Sequence, residues 1–170
     1  YFEESVLENR NNIAISFKNK NLTYSNFYKL VKVLSSEIIK LSNINDSISI
    51  LLDKSEYFII SIWAILYSGC NYVPIDIDDP NDRKNFIIKN SNSKLVITDQ
   101  NNFKSNIHTL NINDINFDKE NNNLKFRENN EGLAYILHTS GTTGEPKGVK
   151  IPINGLLNYS LYQKNILKWC

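Results

Sequence analysis

The sequence predicts an α/β fold built on a mostly parallel sheet. Short apolar runs of strand length, Ile48 to Leu52 and Leu95 to Thr98, alternate with longer segments whose apolar residues fall at helical spacing. From Ile48 the patterns run strand, helix, strand, helix, strand, an alternation that indicates parallel strands joined by crossover helices.

Each element has its own local reason. Ile13, Ile15 and Phe17 alternate with small or polar residues, as in a half-buried strand. Lys18 to Asn21 is a polar turn, after which Leu22 and Tyr24 resume an extended pattern, so a hairpin is expected despite the missing glycine. Phe27, Leu30, Val31, Leu34, Ile38 and Leu41 mark one face of a helix, with Ser25 or Asn26 as its cap. Ile48 to Leu52 suits a buried strand. Ser55 and Glu56 offer a cap and a first-turn negative charge for a second helix, whose body, Tyr57 to Tyr67, is apolar nearly all round and should be buried. Gly69 stands where a left-handed helix terminator belongs. Tyr72 to Ile75 is extended, with Pro74 restricting it to a sheet edge or a strand end. Pro80 fits the first turn of a third helix carrying Phe86, Ile87 and Ile88, and Leu95 to Thr98 is the next strand. Residues 100–130 turn asparagine-rich, with Ile107, Leu110 and Ile112 as weak strand candidates; a long surface excursion, with room for a hairpin, is expected there.

Bulk composition narrows the function. The chain has 170 residues, 41% apolar and 22% charged, which fits one soluble domain with a real core. A formal net charge of +1 gives no strong pull toward nucleic acid or an anionic membrane. The longest apolar run, Tyr57 to Tyr67, is too short to span a bilayer, and no signal-like N-terminus is present, so a cytoplasmic location is expected. Cys70 and Cys170 have neither metal-site nor disulfide-framework spacing. The chain starts at Tyr1 and contains no methionine, so a processed chain or a segment of something larger is expected.

The chemistry concentrates after Leu133. An apolar strand candidate, Leu133 to His138, runs into Thr139-Ser140-Gly141-Thr142-Thr143-Gly144-Glu145-Pro146-Lys147-Gly148, and Val149 to Ile151 looks extended again. Three glycines let the backbone turn tightly and approach a ligand. Consecutive exposed amides can form a nest for anionic oxygens. The hydroxyls of Thr139, Ser140, Thr142 and Thr143 add donors, and Lys147 adds a mobile positive charge. A polyphosphate satisfies all of these at once. A Walker A loop is excluded, because Lys147 is followed by Gly148 and an apolar stretch rather than by Ser or Thr and a helix. On composition alone an ordinary Gly/Thr-rich hairpin turn stays open.

The stretch from Leu133 to Val149, "LAYILHTSGTTGEPKGV", resembles the phosphate-loop signature of the adenylate-forming superfamily, which includes the adenylation domains of nonribosomal peptide synthetases, acyl-CoA synthetases and firefly luciferase. "LYSGCNYVPIDIDDP", Leu66 to Pro80, is similar to the "LKAGGAYVPIDP" signature of the amino-acid-activating branch, and "LTYSNF" from Leu22 and "KLVIT" from Lys94 fall in the expected order. The resemblance implies the N-terminal portion of an adenylation domain over residues 1–170. It implies ATP and Mg²⁺ as cofactors, a carboxylate such as an amino acid as substrate, and a carrier-protein thiol as acceptor, beside neighbouring synthetase domains. It implies phosphate contacts from Thr139, Ser140, Thr142, Thr143 and Lys147, with Gly141, Gly144 and Gly148 shaping the loop. Lys147 is then the catalytic residue here, stabilising charge on the departing pyrophosphate.

Two departures from the family pattern bear on activity. The "GVxxxH" histidine is replaced by Ile153, and His138 stands where tyrosine or phenylalanine is common. The family's later signatures, the glutamate that handles Mg²⁺, the ribose-binding aspartate and the catalytic lysine, have no counterparts in these 170 residues. The resemblance therefore implies an active ligase as parent and an inactive isolated chain. The alternatives are a catalytically dead module acting as a scaffold, or a piece of an acyl-CoA synthetase. Asp76, Asp78 and Asp79 form an acidic cluster that the resemblance assigns to structure, and no metal site is expected. His108 is expected to be solvated.

Overall fold

A computed structural model describes residues 2–119, 124–129, 131–139 and 146–167, with side chains described through residue 163. Helix α1 (Phe2–Glu8) leads into the hairpin of β1 (Ile13–Phe17) and β2 (Lys20–Thr23), which pair antiparallel. In place of glycine, Lys18 takes the positive φ of 52° at the hairpin turn. Then follow α2 (Tyr24–Leu41), β3 (Ser47–Leu51), α3 (Glu56–Tyr67), β4 (Asn71–Pro74), α4 (Asn81–Asn90), β5 (Ser93–Thr98), β6 (His108–Asn111), β7 (Leu133–Thr139), β8 (Lys147–Pro152) and α5 (Ile153–Leu167). The main sheet has the order β6-β5-β3-β4-β7-β8. All of its pairings are parallel except β7 with β8, so the fold is the predicted α/β sheet.

The period of two along the strands explains the two cores. Ile48 and Ile50 of β3 and Leu95 and Ile97 of β5 face α2 and α3, where they meet Val31, Leu34, Ile38, Ile60 and Ala64. The intervening Leu51 and Val96, with Val73, Ile75 and Ile136, face α4 and pack on Ile87 and Ile88. Buried serines fill part of that second face, Ser49 and Ser91 each lying 2.8 Å from the Ser93 hydroxyl.

Several helix ends differ from expectation. Thr23, rather than Ser25 or Asn26, caps α2, its hydroxyl accepting from Asn26 N at 3.2 Å. Ser55 holds the N-cap position of α3, but its hydroxyl donates to the Asp53 carbonyl instead of capping a helical amide. Pro80 is the N-cap residue of α4, one position before the first turn. Helix α3 is not buried all round: Ile59 and Trp63 keep 38% and 37% of their surface exposed. Gly69 behaves as predicted, with φ +75° after the C-cap Ser68. The amides of Cys70 and Gly69 donate to Ile65 and Leu66 carbonyls at 3.1 and 3.0 Å, the paired bonds of a Schellman terminator. Pro74 stands at the end of β4, an interior strand, where its missing N–H costs no ladder bond.

The asparagine-rich stretch is partly drawn into the fold. His108 to Asn111 pairs parallel with β5 and forms the sheet edge, and Ile112 is buried beyond it. Ile115, Phe117 and Leu124 pack on the α2/α3 core. These few apolar residues outweigh the polar composition around them.

Candidate functional site

Strands β7 and β8 form a hairpin whose ladder pairs Leu137 with Val149, His138 with Gly148 and Thr139 with Lys147. Its turn therefore spans the predicted loop. Ser140, Gly141, Thr142, Thr143 and Gly144 lie outside the described residues, while Thr139, Lys147 and Gly148 are described and exposed. Thr139 and Lys147 share the last rung, so a hydroxyl and an ammonium-bearing side chain start from opposite sides of the turn. Because β7 runs parallel to β4, this rung lies at the C-terminal end of the parallel strands, where open α/β sheets bind their ligands.

Gly148 has a packing role of its own. A Cβ at this position would lie 3.1 Å from His138 Nε2, 3.2 Å from Ile136 Cγ2 and 3.3 Å from Asn90 Oδ1. The missing side chain thus makes room for a contact the sequence did not reveal: His138 Nε2 lies 3.0 Å from Asn90 Oδ1 at the end of α4. An amide oxygen only accepts, so the imidazole carries its proton on Nε2. Nδ1 is buried without a hydrogen-bond partner. Burial, reinforced by the nearby Arg83 charge, holds the imidazole below the usual histidine range. Nothing in the sequence joins Asn90 to His138; the pairing spans 48 residues and exists only through the fold.

The acidic cluster after β4 is occupied locally. Asp76 Oδ1 accepts from the Asp78 amide at 3.0 Å. Asp79 Oδ1 and Arg83 Nε form an ion pair at 2.9 Å whose angle does not meet hydrogen-bond geometry. Lys84, buried on the same helix, donates to the Ile77 carbonyl at 2.7 Å. Among the described residues no group of three or more His, Cys, Asp or Glu side chains could hold a metal. His108 is exposed on β6. Cys70 is buried, and burial pushes its thiol pKa up. Ile153 begins α5, its amide donating to the Gly132 carbonyl at 2.9 Å. No helix among the described residues is long and apolar enough to cross a membrane.

A helix-flanked parallel sheet, with a glycine- and hydroxyl-rich turn at the C-terminal end of its strands, defines the class of the α/β ligand-binding domains. The chain belongs to the AMP-binding enzyme family, whose model matches residues 2–168. Gramicidin S synthase 1 of Brevibacillus brevis is 33% identical over 175 residues, covering 98% of this chain and 16% of that protein. Tyrocidine synthase 3 of Brevibacillus parabrevis is 35% identical over 173 residues, covering 96% of this chain and 3% of that protein. The chain therefore spans a minor part of the length of these relatives. Among solved structures, the nonribosomal peptide synthetase FmoA3 superposes with a TM-score of 0.87 at 19% identity, over 99% of this chain and 18% of that one. The N-terminal subdomain of Klebsiella oxytoca NpsA gives 0.76 at 22% identity, over 89% and 39%. These likenesses establish the fold as that of the N-terminal subdomain of adenylate-forming enzymes.

Proposed function

We propose that this chain is the phosphate-gripping part of an adenylation domain that activates a carboxylate, an amino acid by its similarity to peptide synthetases. The observation that carries this reading is the rung pairing Thr139 with Lys147 at the C-terminal end of the sheet, closing a turn of sequence Ser140-Gly141-Thr142-Thr143-Gly144-Glu145-Pro146. The donor set suits a polyphosphate: four hydroxyls and a lysine in a glycine-rich sequence. ATP phosphates would be held by Thr139, Ser140, Thr142, Thr143 and Lys147, with Gly141 and Gly144 leaving their amides open and Gly148 seating the stem. Mg²⁺ would arrive with the nucleotide and supply charge neutralisation at the phosphates. Lys147 places its positive charge where pyrophosphate develops negative charge, and its flexible stem lets that charge follow the departing group. The acyl group then passes to a thiol, for which a carrier-protein phosphopantetheine is the acceptor suggested by the synthetase relatives. The cytoplasm, with its ATP, is the matching compartment.

The 170-residue chain alone should bind ATP weakly and make no acyl-adenylate. Binding is measured by titration calorimetry, and activity by amino-acid-dependent pyrophosphate exchange. Exchange above a no-protein control would show that the chain is complete enough for catalysis. No ATP binding at millimolar nucleotide would instead favour a scaffold role.

A further inference from the structure

The distal stem of the β7–β8 hairpin has little support from the sheet. Strand β4 ends at Pro74, and its register with β7 consists of the pair Tyr72 and Tyr135. Beyond Tyr135, residues Leu137 to Thr139 are paired with β8 alone. Leu137 and Val149, facing each other across the ladder, are 42% and 46% exposed, so that side of the stem is not gripped by packing. The opposite side carries Ile136 and His138. Ile136 is buried against α4. His138, one rung from the turn, meets Asn90 Oδ1 at 3.0 Å, and a Cβ on Gly148 would come within 3.1 Å of His138 Nε2 and 3.3 Å of Asn90 Oδ1, tighter than an ordinary contact.

We propose that Asn90 and His138 are a positioning pair for the glycine-rich turn: their hydrogen bond, seated over Gly148, ties the free end of the hairpin stem to the C-terminal turn of α4 and so fixes where Thr139 and Lys147 are presented. The role of the turn in binding phosphate rests on the function proposed above; the clamp on the stem does not. A two-stranded ribbon without lateral support twists and sways. One directional bond near its tip removes that freedom, and preorganised donors bind an anion better than donors that must first be ordered. Neither residue touches the phosphates in this account. Both act through the residues at the rung beyond them.

The test uses the 170-residue chain with inorganic tripolyphosphate as probe. Asn90→Leu keeps the side-chain size and removes the acceptor. His138→Gln keeps a donor at nearly the same reach. Calorimetry should show tripolyphosphate affinity falling about five- to tenfold in Asn90→Leu, near one factor of ten at most for a single neutral hydrogen bond, and staying within about twofold of the parent in His138→Gln. Amide hydrogen exchange at Gly148 to Lys150 should quicken in Asn90→Leu and recover in His138→Gln, while exchange in β3 and β5 stays unchanged. Rescue by glutamine separates a bond from mere volume. If the parent binds no tripolyphosphate, the phosphate reading fails and exchange alone decides the clamp. Unchanged exchange at Gly148 to Lys150 in Asn90→Leu sinks the proposal whether or not the probe binds.

Discussion

Tyr67 donates its hydroxyl hydrogen to Glu3 Oε1 at 2.7 Å, joining α3 to α1 across 64 residues of chain. Tyr28 donates to the same oxygen at 2.7 Å, and Phe2 stacks on Trp63 with ring centroids 4.2 Å apart. A helix of seven residues is too short to stand alone, so these contacts are what hold α1. The bonds from Tyr28 and then Tyr67 hold the Glu3 carboxyl below its ordinary range. The sign follows: the stabilisation is complete above the unfolded value of 4.5 and is lost as pH falls through the lower folded value. Tyr67→Phe should cost about 1 kcal/mol at neutral pH and flatten the loss of stability in acid. Urea melts of the two proteins at pH 7 and pH 3, about 2.5 units above and about 1.5 units below that unfolded value, check both points. Equal acid dependence would remove Glu3 from the account.

Gly69 is the one described glycine with a positive φ, +75°. A Cβ there would stand 3.1 Å from both Cβ and O of Arg127, whose own amide donates to the Tyr67 carbonyl. Gly69→Ala should therefore lower stability by about 1–2 kcal/mol from the left-handed conformation alone, and more if the Arg127 segment cannot yield. Thermal melting tests it. An unchanged midpoint would mean that the α3 terminator relaxes freely.

The legibility of this chain follows from where each signal resides. The Gly69 terminator, β3, β5 and the β7–β8 stem were readable because their cues are local: a glycine after an apolar helix, or an apolar run between polar turns. The caps were harder. Thr23, Ser25 and Asn26 are all competent caps, and the choice of Thr23 depends on where the β1–β2 ladder stops. Helices α1 and α5 carry no strong local signal; α1 is fixed by Glu3 and Phe2 meeting residues far along the chain. Strand β6 is faint in the sequence, because Leu110 is its single apolar residue and the buried Ile112 lies just beyond it. At the site, the residue types of the turn announced anion binding, but Asn90 carries no local sign of its partnership with His138.

His138 makes stability depend on pH near neutrality. Its imidazole is held below the ordinary value of 6.5, first by burial and then by Arg83. The charge beside it is Arg83 of α4, whose ion-pair partner is Asp79 just before that helix. The unfolded chain binds this proton more readily than the folded one. The contribution is therefore whole above pH 6.5 and shrinks as pH falls from 6.5 through the folded value. His138→Gln, which cannot titrate, should show a smaller drop in melting temperature between pH 7.5 and pH 5 (a span of about one unit or more on each side of an ordinary histidine). A parallel drop in both proteins would show that another group governs this window.

Lys147 is exposed and faces Thr139 across the last rung before the turn. A flexible stem with a compact charge suits a phosphate that moves as pyrophosphate leaves. In an adenylation domain containing this segment, Lys147→Ala should reduce turnover roughly ten- to a thousandfold, the usual worth of one electrostatic contact in a transition state. ATP affinity should fall much less, because ground-state binding is shared with the turn's amides and hydroxyls. Lys147→Arg should recover part of the rate, since charge survives while geometry changes. Gly141→Val gives the contrasting pattern: a β-branched side chain would obstruct the backbone turn, so ATP binding itself should suffer. Single-turnover adenylation rates beside equilibrium ATP binding separate the two effects. If Lys147→Ala keeps turnover within about twofold, well under the ~1.4 kcal/mol of a tenfold change, then backbone and hydroxyls alone hold the phosphates and the ammonium has no catalytic part.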